Sequence, residues 1–446
     1  MMRLGVAQMR GDEAARAPLM LFGLTLATIA FAFTLSALAL AQLGINYGDP
    51  GGFLLAKIHP ATYLVAASLL ARLALHKHPT RFLVAAASRH RGATVFLWIA
   101  GSLIAYVAVN LRVPLSLLVD TFVFPILALI LLDGIDETSA RRLARLLHFI
   151  FAVNAMLGLA EMASGWRLTP IVVLGVDMSA LEHRSSALFG HPLGNAMFTG
   201  LYAIILAVGG GRDLPFWGRF PAMLLQTVAM FSFGGRLATV TMLSLLLLLA
   251  LRQLALVLAG QRFRASSASV YLVLLPVMLV AVAGAYAAGF FDLLLDRFVN
   301  DQGSAQARVV MFDLFPHFSW FQLLFGPDQE LLRSLMWTEG TEYGIESFWV
   351  SFLLTYGAVP SLLFFLGFGA FLFELSQQAR QGVGWVITYF LIVVSGSLSI
   401  GDKTLALGAL VITTMILLRL PETERAAFAW PRALPRAGHA AATSPL

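Results

Sequence analysis

Apolar runs of a length suited to crossing a hydrocarbon layer alternate along this chain with short stretches that collect most of its charges. A polar tail over residues 1–17, carrying Arg3, Arg10 and Arg16, precedes a first run at 18–43. Further runs lie at 53–75, 93–109, 113–132, 146–163, 192–208, 220–233 and 237–251, then at 269–290, 347–372, 383–400 and 404–418. A membrane helix needs about 20 predominantly apolar residues, so the pattern predicts about twelve transmembrane helices, the shorter runs being extended by their flanks. Ala39 and Ala41 have signal-peptidase spacing, but the run containing them exceeds the roughly 7 to 15 residues of a signal h-region and is expected to stay as the first span. The Ala- and Pro-rich tail at 420–446 is expected to be disordered.

One long interruption breaks the alternation. Residues 291–346 carry Asp292, Asp296, Arg297, Asp301, Arg308, Asp313, His317, Asp328, Glu330, Arg333, Glu339, Glu342 and Glu346. The expected fold is therefore an all-α polytopic membrane protein: a bundle over 18–290 and 347–419, with a long loop between helices 9 and 10.

Composition agrees. Of the 446 residues, 59% are hydrophobic and 12% charged, against about 25% charged in a soluble domain. The net charge of +6 is explained without nucleic acid, because Lys and Arg gather in cytoplasmic loops. Cysteine is absent, which excludes disulfides, thiolate metal sites and cysteine nucleophiles. With the N-terminus inside, Arg72, Lys77, Arg81, Arg89, Arg91, Arg141, Arg142, Arg145, Arg212, Arg219, Arg252, Arg262, Arg264, Arg380 and Arg419 all fall on the cytoplasmic side. Fewer bases fall opposite: Lys57, Arg112, Arg167, Arg184, Arg236, Arg297, Arg308, Arg333 and Lys403. The bias predicts a membrane protein with both termini cytoplasmic and the long loop external. Residues 76–91, with Phe82, Leu83 and Val84 between bases, suggest an interfacial segment. No pair of matching Gly/Pro-broken spans relates the two halves, which weighs against a transporter.

Three arginines on the outer side stand out. Arg184 opens the stretch Ser185-Ser186-Ala187-Leu188-Phe189-Gly190-His191-Pro192. Pro192 suits a first helical turn, Gly190 and Gly194 would let a ligand approach the backbone, and a helix start beside Arg184 and His191 would attract an anion such as a diphosphate. The alternative is that His191 caps the span and Arg184 sits among headgroups. Arg236 closes the tight turn Ser232-Phe233-Gly234-Gly235, where it either meets an anion or snorkels to the interface. Arg308 shares a helical face with Met311, Phe312 and Phe315; its planar donor fork suits phosphate or carboxylate oxygens, and pairing with Asp301, Asp296 or a glutamate is the alternative. A carboxylate could serve as general base for a sugar hydroxyl. Glu346, between Gly344 and a span, is the first candidate, followed by Asp301, Glu342 and Glu339, with His317 and His183 behind. The commoner role of any one such group is that of a solvated loop residue or a charge at a helix start. Asp120 and Glu161, inside spans, are functional candidates by their cost in lipid, with helix-to-helix hydrogen bonding as the alternative.

The order of these features resembles the O-antigen polymerase and O-antigen ligase superfamily. The matching pieces are Arg184 to Pro192, Ser232 to Arg236, Arg308 followed by Leu324-Phe325-Gly326-Pro327, and Glu346-Ser347-Phe348-Trp349 with Gly357 downstream. The resemblance implies a metal-independent glycosyltransferase without cofactors, acting on undecaprenyl-diphosphate-linked glycans at the periplasmic face. Arg184, Arg236 and Arg308 would hold the diphosphate while a basic residue deprotonates the acceptor. Ligases of this group carry a His-Asn pair where this chain has Glu346 and Ser347, which favours a polymerase of oligosaccharide repeat units for exopolysaccharide or O-antigen. A ligase, a lipid-linked-sugar flippase and a scaffold remain alternatives. The expected partners are the lipid-linked substrate, membrane lipid and polysaccharide export or chain-length-control proteins.

Overall fold

The computed structural model describes residues 19–48, 53–110, 114–170, 172–173, 176–177, 184–260, 310–340, 344–397 and 399–420, with isolated positions between 276 and 287. The two tails and most of 269–309 lie outside those residues. The first half forms α1 (Leu19–Thr34), α2 (Ala37–Gln42), α3 (Pro60–Ala74), α4 (Pro79–Arg89), α5 (Arg91–Asn110), α6 (Leu115–Asp133) and α7 (Glu137–Ser164). A short antiparallel pairing of β1 (Val172–Val173) and β2 (Val176–Asp177) follows. Next come α8 (Pro192–Ala207), α9 (Phe216–Phe233) and α10 (Arg236–Leu258). The last part contains α11 (Trp320–Phe325), α12 (Gln329–Thr338), α13 (Phe348–Tyr356), α14 (Ala358–Gln377), α15 (Val383–Ser395) and α16 (Ala406–Leu417).

Helix boundaries follow local chemistry. His59 and His191 cap α3 and α8 through side-chain acceptors, each followed by proline in the first turn. Asp136 caps α7, which ends at Gly165 in the left-handed region at φ 72°. Inside α6, Val119–Val123 adopt a π-helical turn. Pro125 explains the irregularity, because it lacks the N–H that would bond the Thr121 carbonyl.

Among the described residues five helices, α5, α6, α7, α10 and α14, are long and apolar enough to cross a membrane; α1, α3, α8, α15 and α16 are shorter apolar helices. α16 is buried at all of its positions and α8 at most, as expected for helices that are apolar on every side and packed among others. α8 packs against α9, α10 and α15, while α14 runs along α5. There the helices approach where small residues allow it: a β-carbon on Gly92 would lie 2.4 Å from the Ala370 carbonyl oxygen, and one on Gly367 2.6 Å from Ile99.

Helix ends sort into two groups. One contains the start of α5 and the ends of α6 and α14, joined through His90, Asp133 and Glu374, and the end of α16, where Arg419 reaches the Leu132 carbonyl at 3.1 Å. The other contains the starts of α3, α6 and α16, joined at Asp120, with the end of α7 and the start of α8 joined through Glu161 and Asn195. Among the described residues Arg89 and Arg419 lie at the first end, and Lys403 and Arg184 at the second.

The structure differs from the sequence pattern in several places. The run expected at 18–43 is interrupted at 35–36, between α1 and α2, and that expected at 53–75 becomes helical only at Pro60, after a short 3-10 turn. The span expected at 347–372 is two helices. Gly357, at φ 86°, turns the chain between α13 and α14, and rings pair in antiparallel order: Phe352 with Phe364 at 4.5 Å and Phe348 with Phe368 at 6.3 Å. At about 1.5 Å of rise per residue, α13 therefore begins roughly 13 Å below the Gly357 turn. The described part of the long loop is substantially helical, and Met311, Leu314, Phe318 and Leu332 form a small apolar core with Ile345, Val350 and Leu354. That core docks the loop onto α13.

Candidate functional site at one end of the bundle

The segment carrying Arg184 is fixed residue by residue. Glu161, buried at the end of α7, accepts the backbone N–H groups of Leu168, Ser186 and Ala187, each at 2.9 Å. A carboxylate holding three N–H groups is compensated for its burial, so Glu161 acts here as an organiser of two loops. Asn154 Oδ1 accepts Leu188 N at 3.0 Å. Asn195 Nδ2 donates to the Ser186 carbonyl at 2.5 Å, and Ser185 Oγ donates to the Gly158 carbonyl at 2.6 Å.

Ser185 N also donates to the Ser232 carbonyl at 2.9 Å, which lays the Arg184 strand against the α9–α10 turn. Gly234, at φ 61°, is needed there: a β-carbon would come within 2.8 Å of Arg184 Cγ and Cδ. The stem of Arg184 thus lies on a residue two positions before Arg236. Arg167 Nη1 donates to the Arg184 carbonyl. Three half-buried arginines, from the α7–α8 and α9–α10 connections, are gathered in one region. Sequence reasoning singled out Arg184 and Arg236 but assigned nothing to Arg167.

The region continues toward Glu346. A β-carbon on Gly396 would lie 2.5 Å from Leu237, the residue after Arg236. Ser395 Oγ, one residue earlier, accepts Trp349 Nε1 at 2.7 Å. Trp349 lies in the first turn of α13, whose start carries half-buried Glu346. Gly401 packs on Phe348 and Ser351, and Asp402 and Lys403 follow directly.

Lys403 and Asp120 form the far side. Asp120 is fully buried and accepts Tyr47 Oη at 3.0 Å, Thr62 Oγ1 at 2.8 Å and His59 N at 3.1 Å from both oxygens. Lys403 Nζ is 3.9 Å away, donates to the Tyr47 carbonyl at 2.9 Å and to the Lys57 carbonyl, and sits 3.5 Å over the Tyr47 ring. Burial pushes the Lys403 pKa down to about 8, only partly offset by Asp120, while burial and then Asp120 push the Tyr47 phenol up. This cluster ties the α2–α3 and α15–α16 connections and the first turn of α3 to α6.

Other sequence candidates are placed differently. Gly190, at φ 73°, makes its close approach to Ser36, whose Oγ would stand 2.1 Å from an added β-carbon; the space expected for a ligand is filled by the chain. His191 is exposed, and its Nδ1 accepts Leu193 N at 3.3 Å as the cap of α8. Gly326 N lies 2.3 Å from a β-carbon built on Gly357, so Leu324 to Pro327 and Gly357, distant in sequence, are in contact. Arg308, Asp301, Glu342 and His183 lie outside the described residues. Among the described residues no cluster of His, Asp and Glu has the arrangement of a metal site. No family model, curated protein or solved structure matches the chain.

Proposed function

We propose that this protein is a membrane glycosyltransferase that polymerises oligosaccharide repeat units carried on a polyprenyl diphosphate, such as undecaprenyl diphosphate, at the periplasmic end of the bundle. The observation that carries the reading is the packing of Arg184 on Gly234, two residues before Arg236, with Arg167 donating to the Arg184 carbonyl. Cations kept together at the rim of an apolar bundle suit an anionic group on a lipid tail. The orientation rests on the excess of Lys and Arg at the opposite end.

In this reading the arginines bind the diphosphate of the donor. The acceptor hydroxyl attacks the anomeric carbon, the bond from that carbon to the diphosphate oxygen breaks, and the hydroxyl proton passes to a carboxylate. Glu346 is the base that the arrangement favours, because α13 starts within the bundle next to the α15 end that Leu237 touches. Charge developing on the leaving diphosphate is stabilised by the guanidinium groups. Arg308, Asp301 and Glu342 remain further candidates for these roles.

The test is the length distribution of lipid-linked glycans in a deletion strain complemented with wild type, Arg184→Ala, Arg236→Ala, Arg308→Ala or Glu346→Gln, with membrane insertion verified. A polymerase leaves single repeat units on the periplasmic side in the deletion and in the variants, with losses of about 100-fold or more for a residue acting on the transition state. Long lipid-linked chains that are never transferred to an acceptor would identify a ligase instead. Single units held on the cytoplasmic side would identify a flippase and overturn the reading.

A further inference from the structure

α4 has no buried residue, yet it is firmly placed. The Phe82 ring lies 4.6 Å from the His76 ring and 5.5 Å from the Arg72 guanidinium, and Arg89 Nε reaches Asp133 at 3.0 Å. Phe82, Ala86 and Arg89, at i, i+4 and i+7, therefore form the face turned toward the bundle. A second strip exposes Leu83 and Val84, at 53% and 69%. On a third side His76, Lys77, His78 and Arg81 line an open groove of about 530 Å³ with Phe82 and Ala85. No acidic residue occurs between Asp49 and Asp120.

We propose that α4 and its groove are a docking site for anionic phospholipid, with Lys77 and Arg81 on the headgroup phosphate and Leu83 and Val84 in the acyl boundary. The helix joins the end of α3 to the start of α5, so its position is at the rim of the bundle, where headgroups lie. Exposed apolar side chains would be a liability facing water, whereas beside bases and against lipid they add to the same attachment. Asp133, the carboxylate that Arg89 of α4 reaches, is engaged by that arginine and by His90, and the residues lining the groove include no acid, which leaves it positive. The proposal rests on the membrane reading and is independent of glycosyl transfer.

The experiment is native mass spectrometry of the full-length protein in detergent with added dioleoylphosphatidylglycerol or dioleoylphosphatidylcholine. The expected result is retention of phosphatidylglycerol over phosphatidylcholine. Lys77→Gln/Arg81→Gln should weaken that retention about tenfold or more and Leu83→Gln/Val84→Gln should weaken it too, whereas Arg252→Gln, an exposed base on α10, should leave it unchanged. Either single substitution, Lys77→Gln or Arg81→Gln, serves if the double variant unfolds. Retention that survives the Lys77 and Arg81 changes overturns the proposal. Equal loss in Arg252→Gln would show general charge attraction, displacement by millimolar inorganic phosphate a free-anion site, and indifference to the Leu83 and Val84 changes a site without a lipid surface; each also overturns it.

Discussion

Asp120 shows how a single buried residue is made tolerable. An isolated carboxylate in such a place is costly, but this one receives donors from Tyr47, His59 and Thr62 and faces Lys403. Removing the acceptor strands all of them, so Asp120→Leu should cost about 3–5 kcal/mol, read as a lower unfolding temperature in detergent. Adding Lys403→Met should recover part of the loss, because the stranded ammonium is then gone; full additivity of the two changes would show that the groups do not interact. Gly357 has a different constraint. Its φ of 86° and the backbone of Gly326 against it leave no room for a β-carbon, so Gly357→Ala should cost about 1–3 kcal/mol or more. An unaltered unfolding temperature would mean that the turn relaxes freely.

Between elements, the firmest polar junction away from the candidate site joins α5, α6 and α14. His90 is buried, with Nδ1 2.9 Å from Glu374 and Nε2 3.4 Å from Asp133, and Glu374 also accepts Ala93 N at 2.9 Å and Gln378 Nε2 at 2.8 Å. Burial works to lower the His90 pKa, but hydrogen bonds to Asp133 and Glu374 outweigh it and hold the pKa above its ordinary 6.5. A raised folded-state pKa favours the imidazolium, so the stabilisation is complete below pH 6.5 and disappears as pH rises through the folded value. Thermal stability should therefore fall with rising pH over that window in wild type, and the fall should be absent in His90→Gln. The same pH profile in both proteins would exclude His90 as its origin. The α13–α14 hairpin is the element that sequence pattern misread. Its residues are apolar throughout, and a lone glycine in such a run does not distinguish a continuous span from a reversal; contact with Gly326, far away in sequence, settles it.

For the whole molecule, the testable statement is sidedness. The chain has no cysteine, so single introduced thiols report exposure directly. Trp320→Cys, on the highly exposed start of α11, should react in intact spheroplasts with a membrane-impermeant maleimide, and Ser88→Cys at the opposite end only after lysis. The reverse pattern would invert the orientation and move the arginine region to the cytoplasm. Reaction of both without lysis would deny that the bundle spans a membrane. The grouping of helix ends divides the charged connections into two sets, and the labelling decides which set faces the cytoplasm. Alternating spans place every second connection at the same end, whatever their packing order.

What the sequence determined by itself is the class and the alternation. Apolar run length and the clustering of charges between runs are properties of the local chain in a lipid solvent and need no tertiary contact. That Arg184 and Arg236 belong at one end follows from counting spans. Which residues touch was decided only in three dimensions: Arg184 on Gly234, Arg167 on the Arg184 carbonyl, Glu161 beneath both loops, and Lys403 over Tyr47. Those contacts join residues tens to hundreds of positions apart, and they depend on which helices pack together. In a chain where nearly every helix is apolar, the hydrophobic pattern leaves that pairing open. Side-chain shape, close approaches at glycine and the need to satisfy buried polar groups make the choice.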